Sequence, residues 1–97
     1  MFDAATVAAG LWILGEVHAR QDPLDVEAAD RFYRASLRLT EELGMRPIMA
    51  RCRLSLGVLY QRAERPEPAR QNVAAAFALF QEMGMRPWSE NTEGETE

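Results

Sequence analysis

Lysine is absent from this 97-residue sequence, which also has a single cysteine and a single histidine. One cysteine cannot form an internal disulfide, and His18 with Cys52 supplies too few ligands for a structural zinc site. Without lysine the chain cannot contain the phosphate-binding lysine of a P-loop. We therefore expect no disulfide, no metal and no cofactor, and a reducing, cytoplasmic location.

Long apolar runs and a broad basic surface are also missing. The longest stretch without a charge covers twelve residues, 4–15, whereas a transmembrane helix needs about 20. Eleven arginines face fifteen acids, a net charge of −4, and four of these acids lie in the last nine residues. Residues 1–88 are formally neutral. We therefore expect neither a membrane nor a nucleic acid as a direct partner.

The net charge of zero over residues 1–88 is the sum of opposite charges in different parts of the chain. Residues 1–42 carry four arginines and eight acids, a net −4, and residues 43–80 carry six arginines and two acids, a net +4. The sequence predicts a dipolar molecule that ends in an acidic segment, which could shield the basic half or compete with an acidic partner for it.

An internal duplication is the most informative pattern that is present. The letters EELGMRP at 41–47 return as QEMGMRP at 81–87, an offset of 40, and Gly15 pairs with Gly57 at an offset of 42. A period near 40 in a chain rich in Ala, Leu and Arg indicates an array of helical repeats. We place repeat one at about 4–44 and repeat two at about 46–84.

Helix breakers divide each repeat into two helices. Pro23 interrupts the first repeat and the Arg-Pro-Glu-Pro run at 65–68 interrupts the second. Gly44 and Gly84 can take the left-handed conformation that ends a helix, and Pro47 suits a first helical turn. These signals predict helices over about 4–20, 24–43, 47–63 and 67–83. The fold class is therefore all-α, with one helical domain over 1–88 and a disordered acidic tail over 89–97.

The second repeat resembles a tetratricopeptide repeat. Residues 56–60 are Leu-Gly-x-x-Tyr, followed at matching spacing by Ala69, Val73 and Ala76. The resemblance implies two helix-turn-helix units in a right-handed α–α superhelix. Residues 11–88 are also similar to the C-terminal repeats of large bacterial signalling proteins, which join an ATPase module, and often a cyclase or helix-turn-helix domain, to such an array. This implies a terminal interaction segment and not the catalytic part.

The first helices of such repeats line a concave groove. The outward positions predicted for it share a mixture of aromatic, apolar and charged side chains: Trp12, Glu16, Arg20, Arg51, Val58 and Arg62. Arginine beside an exposed aromatic residue is typical of a contact patch. The alternative is that Trp12 packs into the core while the arginines form ordinary surface pairs.

Candidate catalytic side chains have simpler explanations. His18 takes the place of a core tyrosine, so we expect it to be packed or half-exposed. Adjacent helical residues diverge, so Cys52 is expected to be a small buried residue despite its arginine neighbours. The acidic loop that contains Asp22 and Asp25 has a proline and no glycine, which favours helix caps over a calcium site. We predict no catalytic residue and no enzyme.

Two functions follow from these patterns. The first is a non-catalytic module that binds a protein or peptide in the groove. The alternative is a structural element that self-associates as a homodimer through the last helix, whose apolar run is wider than one stripe. The predicted seam consists of bulky side chains near the end of the second repeat: Phe77, Phe80, Met83 and Trp88.

Overall fold

Four helices make up the part of the chain that the computed structural model describes, residues 3–84. They are α1 (Ala4–Ala19), α2 (Val26–Leu43), α3 (Arg46–Arg62) and α4 (Pro66–Glu82). No strand occurs within 3–84, so the predicted all-α class is confirmed. None of the four helices has the length and apolar character needed to cross a membrane. The predicted tail at 89–97 lies outside the described residues.

Local chemistry fixes where the helices begin. The Asp3 carboxylate accepts a hydrogen bond from the Thr6 N–H over 2.8 Å, and the Asp25 carboxylate accepts one from the Ala28 N–H over 3.1 Å. Both are N-caps, which satisfy backbone donors that the first helical turn leaves free. The Asp25 cap places the start of α2 at Val26, two residues later than predicted. The helices α3 and α4 instead begin with proline in the first turn.

Left-handed residues follow three of the helices. Gly44 has φ of 68° and Gly84 has φ of 71°, as the sequence predicts for helix ends. Glu64 has φ of 62° after α3, where a residue with a side chain takes the same conformation. The Arg65 N–H then donates to the Tyr60 carbonyl over 2.8 Å and closes the helix end. This third left-handed position is occupied by glutamate, so the sequence contains no glycine that would predict it.

The helices form two hairpins that share one core. α1 packs on α2, α3 packs on α4, the hairpins meet through α2 and α3, and α1 also touches α3. The core cluster is centred on this junction, and its buried members are Ala19, Ala29, Tyr33, Leu37, Cys52, Leu56, Leu59, Tyr60 and Ala69. The two repeats are therefore one packing unit, because residues of all four helices contribute to the same cluster.

Two glycines allow the closest helix contacts. A Cβ atom added at Gly15 would lie 2.5 Å from Tyr33 Cδ1, and one added at Gly57 would lie 2.5 Å from Val73 Cγ2. These are the two glycines that the internal duplication pairs at an offset of 42, and each follows a leucine, Leu14 or Leu56. Each lets the second helix of its hairpin approach the first to within contact of the backbone.

Candidate binding groove

A groove of about 280 Å³ lies between α1 and α3 and has Tyr33 of α2 among its lining residues. Five of the six residues predicted for a groove line it, namely Trp12, Glu16, Arg20, Val58 and Arg62. The sixth, Arg51, is placed beside them: its Cζ lies 5.7 Å from the centre of the Trp12 ring. The fold therefore brings the six predicted side chains together on one surface.

Trp12 belongs to both the groove and the core. Its side chain is partly buried and packs against the core cluster, as one of the two interpretations of the sequence expects. The same ring lines the groove and has the Arg51 guanidinium over its face. Its Nε1–H donates to Ser55 Oγ over 3.0 Å, which ties α1 to α3. The indole is thus fixed in position while part of it remains accessible.

Glu16 is the centre of a hydrogen-bond network at the floor of the groove. Its Oε2 accepts from the Tyr33 hydroxyl over 2.5 Å and from Ser55 Oγ over 3.2 Å, and its Oε1 lies 3.6 Å from Arg20 Nη2. Burial, with the Glu16 carboxylate as a second cause, raises the pKa of Tyr33 above its ordinary value. Three helices meet at one carboxylate, so Glu16 is a fixed negative charge rather than a mobile surface acid.

Tyr33 and Ser55 belong to the groove although the sequence patterns did not predict them there. Ser55 had a detectable signal, because it lies four residues after Arg51, three before Val58 and seven before Arg62, on the same face of α3. No sequence signal pointed to Tyr33, because Tyr33 lies on α2 whereas the groove was predicted from α1 and α3. Its proximity depends on the close contact at Gly15.

Positive charge dominates the rim of the groove. The Arg20 side chain is 80% exposed and only loosely paired with Glu16. Arg62 Nη1 donates to the carbonyl of Ala19 over 2.8 Å, at the C-terminal end of α1, where the helix dipole favours a cation. Arg20 and Arg62 line the groove that contains the Glu16 carboxylate, and Arg51 lies beside it over the Trp12 ring. This arrangement can bind a carboxylate in a two-pronged fashion beside an aromatic face.

The other candidate side chains lie where packing explains them. His18 stacks on Phe32 with ring centroids 5.2 Å apart, partly buried as expected. Cys52 is fully buried, as predicted, and its thiol donates to Ser36 Oγ over 3.3 Å. Burial raises the pKa of the Cys52 thiol. Within 3–84, no three His, Cys, Asp or Glu side chains converge as a metal site would require.

The last helix presents a second, mostly apolar surface. A shallow pocket of about 600 Å³ lies along it, lined by Gln61, Pro66, Ala69, Arg70, Val73, Ala74 and Phe77. Phe77 is 45% exposed, and its ring centre lies 6.5 Å from that of Phe80. Phe80 and Met83 are partly buried. Trp88, the fourth residue of the predicted seam, lies outside the described residues.

Comparisons with known proteins give this chain no family. No protein family model, no curated protein and no solved structure matches it. Its function is therefore inferred from the geometry of the groove and of the exposed helix faces.

Proposed function

We propose that this protein is a non-catalytic interaction module that binds an extended peptide segment in the groove between α1 and α3. The observation that carries the proposal is a fixed, partly exposed indole in a groove of about 280 Å³, with two guanidinium groups that line the groove and a third over the indole face. A rigid aromatic residue and nearby arginines are the side chains that contribute most to binding at protein interfaces.

The chemistry of the groove specifies the ligand class. Arg20, Arg51 and Arg62 favour a segment that carries carboxylates. The exposed part of Trp12 and the side chain of Val58, which is 48% exposed, favour an apolar side chain next to those carboxylates. Hydrogen bonds to Tyr33 and Ser55 hold the Glu16 carboxylate at the floor of the groove. A ligand carboxylate at the floor is disfavoured because it would meet this like charge. An acidic peptide with one leucine or phenylalanine fits these demands.

Trp12 itself can report binding. The sequence has two tryptophans, so a Trp88→Phe variant leaves Trp12 as the sole indole. We would titrate this variant with a ten-residue peptide of alternating glutamate and serine around a central leucine, and with its glutamine counterpart. The proposal expects a saturable change in fluorescence with the acidic peptide and a much weaker one with the glutamine peptide. Equal responses would contradict it.

Matched arginine variants test the site on the same background. Arg51→Ala and Arg62→Ala should each weaken binding of the acidic peptide by roughly threefold to tenfold, as loss of one charge-assisted contact does. Arg38→Ala is the control, because Arg38 is exposed on α2 and does not line the groove. Binding that is insensitive to Arg51 and Arg62, or equally sensitive to Arg38, would refute the assignment.

We further propose that the chain is a terminal tetratricopeptide segment of a cytoplasmic bacterial signalling protein with an ATPase or cyclase module. The support is the pair of Gly-Met-Arg-Pro connectors and the two hairpins that they delimit. A buried, unpaired Cys52 agrees with a reducing compartment. An ATPase coding sequence continuous with residue 1 in the genome would support the proposal, and an unrelated or closed frame there would contradict it.

Self-association is a second candidate function, favoured by a separate observation. Phe77 and the pocket beside it leave apolar surface on α4 uncovered by the described chain. A homodimer through the last helix would bury that surface. Sedimentation velocity over a range of concentrations tests it, because a species that stays monomeric throughout would exclude the function.

A further inference from the structure

Uncovered apolar side chains are concentrated on the first helix. Of the large hydrophobic residues that are more than two-fifths exposed within residues 3–84, α1 has four and the other helices have one each: Val7 at 42%, Ile13 at 53%, Leu14 at 43% and Val17 at 51%, then Leu43 at 48%, Val58 at 48% and Phe77 at 45%. Phe77 also lies beside the apolar pocket on α4. Isolated exposed hydrophobic residues are ordinary, but several on one helix mark an interaction surface. Within residues 3–84, both ends of the helix stack therefore lack a covering layer.

The duplication shows what covers the equivalent of the α1 surface. The pairing of Gly15 with Gly57 places Leu14 at the position of Leu56 and Val17 at the position of Leu59. Leu56 is 0% exposed and Leu59 is 1% exposed, because both lie in the cluster that joins α3 to α2. The exposed residues of α1 thus occupy positions that α3 uses inside the core.

The same comparison applies to the last helix. At the offset of 40, Phe77 of α4 takes the position of Leu37 of α2, which is 5% exposed in the cluster shared with α3. Ala69 and Val73 similarly take the positions of Ala29 and Tyr33. Phe77 with this part of α4 lines the pocket of about 600 Å³. The α4 surface is therefore the counterpart of the α2 surface that receives α3.

We propose that a second copy of the chain docks head to tail on this surface, with its α1 against α4 of the first copy. The contact repeats the internal α2–α3 packing, and Leu14 of one copy meets Phe77 of the other as Leu56 meets the Leu37 region within the chain. The inference rests on the self-association function and is independent of peptide binding in the groove.

Helix pairing favours this arrangement over a symmetric one. Within residues 3–84, α1 packs on α2 and α3 packs on both α2 and α4, whereas the two second helices, α2 and α4, do not touch. Head-to-tail docking sets a first helix on a second helix, as in these pairs, whereas an α4–α4 dimer sets two second helices together. The segment 85–97 is a poor substitute for the second copy, because its apolar residues are confined to its first four positions.

Two single-face variants test the proposal. Leu14→Glu disables the α1 face and leaves α4 intact, and Phe77→Glu does the reverse. Both side chains are about half exposed, so neither change removes a core contact. Leu43→Glu is the matched control, since Leu43 is exposed to a similar degree, 48%, but lies at the end of α2, outside both faces and outside the groove. Helical content and thermal unfolding are measured for each variant.

Sedimentation velocity gives distinct outcomes. Head-to-tail docking predicts that each face variant loses association by roughly tenfold or more and that Leu43→Glu associates like the unmodified chain. It also predicts that an equimolar mixture of Leu14→Glu and Phe77→Glu forms a dimer that stops at two copies. A Leu14→Glu variant that still dimerises alone would overturn the proposal in favour of symmetric α4 pairing. A monomeric unmodified chain would overturn both forms of self-association and leave peptide binding to its own test.

Discussion

Single glycines set how closely the helices of each hairpin approach. Gly15 lies against the Tyr33 ring and Gly57 lies against Val73, and a Cβ atom added at Gly57 would also lie 3.2 Å from the Ala69 carbonyl oxygen. The position of the Tyr33 hydroxyl, and with it the bond to Glu16, depends on the absence of a side chain at Gly15. A residue without a side chain thus determines the floor of the groove.

Alanine substitutions at two glycines of α1 should have opposite effects. Gly15→Ala is expected to lower the free energy of unfolding by about 1–3 kcal/mol, because its Cβ would overlap the Tyr33 ring. Gly10→Ala should raise it by about 0.5–1 kcal/mol, since nothing lies within 4 Å of an added Cβ there and alanine favours the helix. Urea denaturation measures both. Equal effects at the two positions would show that the close contact does not exist.

Buried Cys52 makes stability depend on pH. Burial raises the pKa of its thiol, so the folded chain keeps this proton at a pH where the unfolded chain loses it. The free energy of unfolding should therefore fall as pH rises above about 8.5, the usual value for a free thiol. Urea denaturation between about pH 7 and pH 10 tests this, with Cys52→Ala as a control that should flatten the lower part of the curve. A fall of equal size in the control would contradict the assignment.

At the level of helices and loops, the connection between α3 and α4 is the strained one. Glu64 has φ of 62°, a conformation that costs an ordinary residue roughly 1 kcal/mol relative to glycine. Gly44 meets the same requirement after α2 without that cost. The helices α2 and α3 are therefore followed by the same backbone conformation with different residues.

Exchanging the residue types at these two ends should change stability in opposite directions. Glu64→Gly is expected to raise the thermal midpoint, by an amount that corresponds to about 0.5–1 kcal/mol. Gly44→Ala should lower stability by about 1 kcal/mol, because nothing crowds its Cβ and only the backbone conformation is penalised. Calorimetry measures both. A Glu64→Gly variant less stable than the parent would show that the Glu64 side chain contributes more than its strain.

Helix positions could be predicted because proline and glycine act locally. Pro47, Gly44 and Gly84 mark boundaries wherever the chain goes afterwards, and the predicted ends differ from the observed ones by at most two residues. The ion pair between Asp30 Oδ1 and Arg34 Nε, which are 3.0 Å apart, is equally local, because residues four apart are neighbours on one helix face. The groove residues on α1 and α3 could also be predicted from the sequence, because residue spacing determines which side chains share one face of a helix.

Contacts between helices could not be predicted in the same way. The bonds of Glu16 to Tyr33 and Ser55 join three helices, and residue spacing contains no information about which face of one helix meets which face of another. The buried pair of Cys52 and Ser36 is a second example. Serine is ordinarily a surface residue, yet Ser36 is 0% exposed and donates to the Ala8 carbonyl over 2.8 Å.

On the scale of the whole molecule, charge and apolar surface lie on different helices. The positive charge of the second repeat lies on α3, which has four arginines and no acid, whereas the end helices α1 and α4 each carry a net charge of −1. The exposed apolar side chains of α1 and the pocket beside Phe77 lie at opposite ends of the stack. An interface between opposite ends does not close on itself, so a further copy can add at either end.

The size of the assembly should separate the two modes of self-association. Every head-to-tail dimer leaves one α1 face and one α4 face free, so the weight-average mass should continue to rise above two copies as the protein concentration increases. A symmetric α4 dimer uses both of its α4 faces and stops at two copies. Sedimentation equilibrium over a concentration series measures the mass. A mass that levels off at two copies would contradict the head-to-tail mode.

The bonds across the groove also govern how far the two hairpins can splay apart. Where α1 and α3 meet, the bridges include Trp12 to Ser55 at one end and Arg62 to the Ala19 carbonyl at the other. These two hydrogen bonds restrain the separation of α1 and α3, and this separation is the width of the groove. A ligand bound in the groove would restrict changes in the angle between the two hairpins. Binding at this surface would therefore fix the curvature of any repeat array that contains it.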